Sequence, residues 1–189
     1  MASFADKKLI GPLTADAWEA FLDDDPPADG IRLLLRKKNS LASGITYAEA
    51  LDVALCFGWI DGQVARHDDD YIVQAFTPRR GRSPWSQVNR DHVERLIGEG
   101  RMQPGGLAEI ERAKADGRWD AAYRMSTAEP DADFQAAIDA NPEAAAFWAT
   151  LGRSKRFPFI FRLIDAKRPE TRERRIGQFV EMLARGESL

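Results

Sequence analysis

Apolar residues recur at helical spacing over much of the chain, and in three short stretches they alternate with polar residues. A first helix is predicted to begin after Thr14, a good N-cap, and to end in the acidic, proline-containing segment 23–30. Apolar and basic residues alternate over 31–37, which predicts a strand. Two further strand-like runs, 59–66 and 71–77, are joined by HDDD, whose aspartates favour a turn. The three runs together predict a small antiparallel sheet.

The rest of the chain has helical patterns with recognisable starts. Thr46 and Glu49 form the T-x-x-E pattern of a capping box, which predicts a helix that ends near Cys56. Later helices are predicted to start near Ser86, Pro104, Asp131, Asn141 and Pro169. Residues 123–130 have the composition of a linker. The predicted fold class is therefore α+β, with helices and a small antiparallel sheet in residues 1–122 and an all-helical part in 123–189.

Composition and charge argue against several classes of function. The net charge of −3 argues against a general binder of nucleic acid, so a nucleic-acid partner is unlikely on this ground. No apolar run approaches the roughly 18 residues that a membrane helix needs, and no signal peptide is recognisable, so we expect a cytoplasmic protein without a membrane span. Cys56 is the single cysteine, and we interpret it as a structural residue because the negative end of a helix disfavours a thiolate.

The stretch ALCFGWIDGQ contains the first candidate site. If the strand that begins at Trp59 is regular, Trp59, Asp61 and Gln63 lie on one face, where an aromatic ring, a carboxylate and an amide could hold a small polar ligand. The alternative is that Trp59 fills the core and Asp61 pairs with Arg66 or Arg79. Motifs for nucleotide binding, zinc binding and serine hydrolysis are absent, so no cofactor and no metal are expected.

The phrase FTPRRGRSPW, from Phe76 to Trp85, contains the second candidate site. Its three guanidiniums, on Arg79, Arg80 and Arg82, suit the binding of phosphate or carboxylate oxygens, and Trp85 completes the set of candidate ligand-binding residues. The alternative is a solvated loop, or arginines paired with the aspartates at 68–70. The sequence therefore predicts an arginine loop that binds an anion.

A basic helix face near the C-terminus offers a different partner. Arg168, Arg172 and Arg175 recur at i, i+4 and i+7, so they share one side of the last predicted helix. This face could bind nucleic acid or an acidic partner, or it could be an ordinary solvated face, since Glu170 and Glu173 dilute its charge.

Several long phrases together resemble one protein family. They are ITYAEALDVALCFGWIDG, YIVQAFTPRRGRSPWSQVN, ERLIGEGRMQPGGLAEIERAKADGRWD and AKRPETRERRIGQFVEML. The combination, from about Gly30 to Gly186, is similar to the YdeI/OmpD-associated family, also called the bacteriocin-protection family. The resemblance implies a bacterial protein that protects against bacteriocins or antimicrobial peptides. It supplies no catalytic residues.

The residues and the resemblance lead to one preferred hypothesis and two alternatives. The preferred one is a non-enzymatic stress or envelope-protection protein that binds an anionic small molecule or an acidic protein partner through its arginine loop. The first alternative is an enzyme that uses Asp61 as acid or base on a phosphate- or carboxylate-bearing substrate. The second is nucleic-acid binding through the C-terminal basic face, which the net charge disfavours. Nothing in the sequence predicts the oligomeric state.

Overall fold

A computed structural model describes residues 3–122 and 128–189. The chain divides into two compact units, Met1–Ala122 and Tyr123–Leu189. Most of the predicted linker, residues 123–127, lies outside the described residues. The α+β fold class is confirmed: the first unit combines a sheet with helices, and the described part of the second unit is helical.

The sheet of the first unit has four strands in the order β1-β2-β4-β3. Their bounds are Leu9–Ile10 for β1, Ile31–Arg36 for β2, Trp59–Arg66 for β3 and Tyr71–Pro78 for β4. The three predicted strands pair antiparallel, as expected, with β4 between β2 and β3. The sheet is nevertheless mixed, because β1 pairs parallel with β2. A strand of two residues has no alternation to detect, which is why β1 was not predicted.

Four helices accompany the sheet in the described part of the first unit. They are α1 (Ala15–Asp23), α2 (Tyr47–Cys56), α3 (Gln87–Gly98) and α4 (Pro104–Ala115). The predicted caps are present: the Thr14 hydroxyl accepts from the backbone of Ala17, and Thr46 and Glu49 form the reciprocal capping box. These caps satisfy backbone N–H groups that would otherwise lack acceptors at the helix starts.

Two hydrophobic clusters form the core of the first unit. One surrounds the fully buried Trp18 and includes Trp59 and Phe76. The other lies between α2, α3 and α4 and includes Trp85 and Trp119. Helix α2 contributes to both clusters, with Ala50, Val53 and Ala54 in the first and Leu51, Leu55 and Cys56 in the second.

Glycines allow the end of α2 to approach the start of α4 closely. A Cβ on Gly106 would lie 2.2 Å from the carbonyl oxygen of Cys56, and one on Gly58 would lie 2.8 Å from that of Gly105. Gly58 also has a φ of +77°, which side chains other than glycine rarely adopt. The backbone N–H of Gln103 donates to the Cys56 carbonyl at 3.1 Å. Glycine at positions 58 and 106 is therefore required by the contact between the two helix ends.

The described part of the second unit consists of four helices around its own core. They are α5 (Ala132–Asp139), α6 (Pro142–Thr150), α7 (Arg153–Ile164) and α8 (Pro169–Ala184). Phe134 is fully buried and its ring lies edge-on to Trp148 and to Phe179. Among the residues described in both units, no helix is long and apolar enough to cross a membrane.

An arginine connects three helices of the second unit. The Arg172 guanidinium, on α8, donates to Asp131 at 2.6 Å, to both carboxylate oxygens of Asp133 at 2.7 Å, and to the carbonyl oxygen of Leu163 at 3.1 Å. These contacts join α8 to the start of α5 and the end of α7. The hydrogen bond from Arg172 holds the pKa of Asp133 below its ordinary value.

Replacing Arg172 by methionine is expected to weaken the acid dependence of unfolding. Because the pKa of Asp133 is lower in the folded state, its pair with Arg172 stabilises the fold above the unfolded value of about 3.9 and loses that effect as the pH falls through the folded value. Urea unfolding of wild type should show a loss of stability over this range that the variant lacks. The control is Arg153→Met, which removes an exposed positive charge at the start of α7 in the same unit. Equal acid dependence in the Arg172 variant and wild type would contradict this role.

Candidate functional site

The residues of the first candidate site differ in burial: Trp59 lies in the core, Asp61 is half-buried and Gln63 is exposed. Trp59 is only 5% exposed and its ring lies edge-on to Trp18 at 6.4 Å between centroids. Asp61 is half-buried and accepts a hydrogen bond of 2.9 Å from the Tyr47 hydroxyl, at the start of α2. Burial raises the pKa of Tyr47 above its ordinary value, and the Asp61 charge raises it further, so the phenol stays a donor. One carboxylate oxygen of Asp61 is therefore already hydrogen-bonded to another residue of the protein.

Strand β3 is irregular where the sequence analysis assumed regular alternation. Its register against β4 shifts between Asp61 and Val64, as in a β-bulge. The buried side chain of Gln74 donates to the carbonyl oxygens of Gly62 at 2.8 Å and Gln63 at 3.4 Å, on the irregular segment. Gln63 itself is exposed. The assumption that placed Gln63 on one face with Trp59 and Asp61 is therefore not met.

Arg79 is a buried residue of the arginine loop. It is 5% exposed, and its guanidinium carbon lies 3.7 Å from the centroid of the Trp85 ring, a close cation–π contact. Its Nη1 donates to the carbonyl oxygen of Pro84 at 3.2 Å, and its backbone N–H donates to that of Gly58 at 2.9 Å. Arg79 thus fixes both ends of the loop to the fold.

Arg80 and Arg82 are at the exposed tip of the same loop. The backbone N–H of Ser83 donates to the carbonyl oxygen of Arg80 at 2.9 Å, and the Ser83 hydroxyl accepts from the N–H of Arg80 at 3.0 Å. These bonds close a tight turn around Gly81, where an added Cβ would meet no atom within 4 Å. Within 3–122 and 128–189, neither arginine side chain forms a salt bridge. The turn holds two accessible guanidiniums toward solvent.

Residues far along the chain support this turn and were missed by the sequence analysis. Trp119 lies 4.9 Å from Trp85 between ring centroids, and the Arg90 guanidinium lies over Trp119 at 4.8 Å. Arg118 donates to the carbonyl oxygen of Ser83 at 2.8 Å and is held by Asp116. No local pattern marks these partners, because they come from α3 and from the segment after α4.

The backbones of the two candidate sites are adjacent, since Trp59 pairs with Pro78 and the Arg79 N–H donates to the Gly58 carbonyl oxygen. Their aromatic side chains belong to different clusters: Trp59 packs around Trp18, whereas Trp85 packs with Trp119 and under the Arg79 guanidinium. Arg66 pairs with Asp69 at 3.1 Å, so neither Arg66 nor Arg79 is the partner observed for Asp61. The enzyme hypothesis built on Asp61 stays a prediction.

Cys56 packs as the sequence analysis interpreted it. Its side chain is 3% exposed, in the cluster with Trp85, and burial raises the pKa of its thiol to about 11. A thiol with such a pKa is a poor nucleophile at neutral pH. Among the residues that the structure describes, no group of three or more His, Cys, Asp or Glu side chains could hold a metal ion.

The C-terminal basic face is partly engaged within its own unit. Arg172 pairs with Asp131 and Asp133, and Arg175 lies 4.0 Å from Asp165 and donates to the carbonyl oxygen of Arg162. These pairs reduce the positive field that a nucleic acid would meet.

The fold and the turn define a two-unit α+β protein with an exposed cationic turn on its first unit. Residues 11–109, just over half of the chain, match the family described as a domain of unknown function, DUF8412, and the chain belongs to that family. Residues 127–186 match the family described as "Bacteriocin-protection, YdeI or OmpD-Associated", which confirms the family resemblance over that part of the chain and not over the whole predicted range from Gly30. The phrases quoted between Ile45 and Asn89 lie in the part matched by DUF8412. No curated protein and no solved structure matches the chain.

Proposed function

We propose that this chain is a non-enzymatic bacterial stress or envelope-protection protein that acts in the cytoplasm by binding an anionic ligand or an acidic partner at its arginine turn, Arg80–Ser83. The family match over residues 127–186 supports a role like bacteriocin protection. One observation supports a binding site here: hydrogen bonds within the turn close it, and the two guanidiniums at its tip are exposed.

Contacts with the rest of the fold distinguish this turn from an ordinary solvated loop. The stack of Arg79 on Trp85 and the bond from Arg118 to Ser83 limit its conformations before any ligand arrives. Binding to a turn that is already ordered costs less conformational entropy than binding that must first order a loop. Guanidiniums also offer paired N–H groups that match the oxygens of carboxylate and phosphate. An acidic peptide or a small oxyanion therefore suits the turn.

Replacing both tip arginines, as Arg80→Ala/Arg82→Ala, is expected to weaken anion binding about tenfold, since each exposed charged contact contributes up to about 1 kcal/mol. Thermal unfolding is measured with inorganic phosphate, a nucleotide, citrate and a short polyglutamate peptide. A compound at about 100 times its Kd adds roughly 2.7 kcal/mol to wild type. The double variant should show a clearly smaller shift with the same compound.

The matched control is Lys38→Ala/Arg66→Ala, which removes two exposed positive charges elsewhere in the first unit. It should retain the wild-type shift. If no anion stabilises wild type, or if both double variants lose the shift equally, the arginine turn is not a specific anion site.

A further inference from the structure

Three buried N–H groups of the first unit have no hydrogen-bond acceptor among the residues that the structure describes. They are the indole Nε1 of Trp85, the Nε of Arg90 and the Nη2 of Arg118. Proteins rarely leave buried donors in this state, because a donor that has lost its water costs free energy unless it finds an acceptor. Each of these donors therefore needs an explanation.

All three donors lie around one pair of aromatic rings. The rings of Trp85 and Trp119 are 4.9 Å apart between centroids. The Arg90 guanidinium lies over Trp119 at 4.8 Å, and its Nη1 donates to the Trp119 carbonyl oxygen at 2.9 Å. The Nη1 of Arg118 donates to the carbonyl oxygen of Ser83, in the arginine turn, at 2.8 Å. We call Trp85, Arg90 and Arg118 the indole–guanidinium cluster, and it adjoins the arginine turn.

The chemistry of the cluster selects an anion. An indole N–H and a guanidinium can donate hydrogen bonds but cannot accept them, so the missing partner must supply acceptors. Three guanidiniums surround the ring pair, since Arg79 also lies over Trp85, at 3.7 Å. In the described part of the first unit, the carboxylates of Glu94 and Asp116 lie 3.9 and 2.8 Å from nitrogens of the cluster. Positive charge therefore exceeds negative charge around the rings.

A ligand from solvent can reach the cluster through its two arginines. The side chains of Arg90 and Arg118 are half-buried, although their unsatisfied atoms are covered, so binding requires the guanidinium ends to turn toward the ligand. Trp85 is 2% exposed, and its N–H is the deepest of the three donors. Donors from three side chains suit a ligand with three acceptor oxygens on one centre. A phosphate group has them, whereas a carboxylate has two oxygens.

We propose that the indole–guanidinium cluster is the inner part of the anion site whose outer part is the arginine turn, and that its ligand is a phosphate group. Arg90 and Arg118 donate to two phosphate oxygens, and the Trp85 indole donates to a third. The inference rests on the proposed function, since the turn attracts the anion that the cluster then holds. It adds the class of ligand and three binding residues.

The first test measures the binding of inorganic phosphate to the full chain by isothermal titration calorimetry at constant ionic strength. The variant Arg90→Lys/Arg118→Lys keeps both positive charges but removes the unsatisfied guanidinium N–H groups, so it should bind about tenfold more weakly than wild type. The control Arg66→Lys/Arg101→Lys makes the same exchange at two exposed arginines outside the cluster and should bind within about twofold of wild type. Equal affinity in the cluster variant and wild type, or equal weakening in both variants, would overturn the proposal.

A second measurement needs no substitution, so it stands even if the cluster variant folds poorly. Phosphate is added to the ¹⁵N-labelled wild-type chain, and the indole N–H resonances are followed. The Trp85 resonance should move downfield along one saturating curve, because its N–H gains an acceptor. The Trp18 indole already donates to the carbonyl oxygen of Ala50 at 3.1 Å and should stay in place. If ordered water is the acceptor instead, phosphate leaves the Trp85 resonance unmoved and the proposal is wrong.

Two comparisons define the class of ligand. Acetate should bind more weakly than phosphate, and equal affinity would contradict a site built for three oxygens. Parallel titrations with inorganic phosphate and phenyl phosphate distinguish a free ion from a phosphate group on a larger molecule, and tight binding of either supports the proposal.

The variant Arg80→Ala/Arg82→Ala separates this inference from the proposed function. If this variant loses phosphate while Arg90→Lys/Arg118→Lys binds it like wild type, the turn binds the anion alone and only this inference fails. If the reverse is found, the cluster binds phosphate by itself and the proposed function fails. Weakening in both variants is the expected result.

Discussion

Replacing Phe134 by alanine is expected to unfold the second unit. Phe134 is fully buried, and its ring contacts those of Trp148 at 5.6 Å and Phe179 at 6.2 Å, so it joins α5 to α6 and α8. Truncating a buried phenylalanine costs about 3–5 kcal/mol, through lost burial and the cavity left behind. A unit of this size has a small core and a stability of only about 3–5 kcal/mol. The substitution therefore removes most of the unit's stability.

The measurement is urea unfolding followed by tryptophan fluorescence and near-UV circular dichroism. Trp148 is the tryptophan of the second unit, and the other four lie in the first. The variant Trp148→Phe is made in the wild-type and the Phe134→Ala backgrounds. Subtracting its fluorescence from that of the parent protein isolates the signal of Trp148. The control Ile164→Ala truncates an apolar side chain that is 41% exposed, and should change stability by about 0.5 kcal/mol at most. A Phe134 variant as stable as this control would show that the core is assigned wrongly.

Replacing Gly106 by alanine is expected to destabilise the first unit by about 3 kcal/mol. The added Cβ would lie 2.2 Å from the carbonyl oxygen of Cys56 and 2.7 Å from the Met102 side chain. The methionine can move, but the carbonyl belongs to the end of α2. The two helix ends must therefore separate, which disturbs the cluster containing Trp85. Alanine is a better helix former than glycine by up to about 1 kcal/mol, which is too little to offset this displacement.

Thermal unfolding of Gly106→Ala and Gly98→Ala provides the comparison. Gly98 is the last residue of α3, and a Cβ there would meet no atom within 4 Å. Its replacement should be neutral or slightly stabilising. If Gly106→Ala unfolds at the same temperature as wild type, the contact between α2 and α4 is looser than the glycines indicate.

Local sequence patterns predicted most of the helices and strands, because helix caps and hydrophobic periodicity depend on residues that are close together in the sequence. Thr14, Thr46 and Ser86 begin helices where their side chains can accept backbone N–H groups. The parallel strand β1 and the bulge in β3 escaped prediction because each depends on a neighbouring strand distant in sequence. Gln74 illustrates the point, since its buried amide supports the bulge and nothing near it in sequence indicates this.

The candidate site was less predictable because burial of a charged side chain depends on tertiary partners. Arg79, Arg80 and Arg82 look equivalent in sequence, yet Arg79 is buried on Trp85 and the other two are exposed. The aromatic ring that makes this difference is six residues away and is itself held by Trp119.

The central claim is that the arginine turn binds an anion, and an NMR titration tests it most directly. Short polyglutamate peptide is added to the ¹⁵N-labelled chain, and the backbone amides of Arg80 and Arg82 are followed together with the indole N–H groups. We expect the two amides and the Trp85 indole to shift with one saturating curve, while the Trp148 indole stays in place. Shifts confined to the second unit, or none at saturating peptide, would contradict the account.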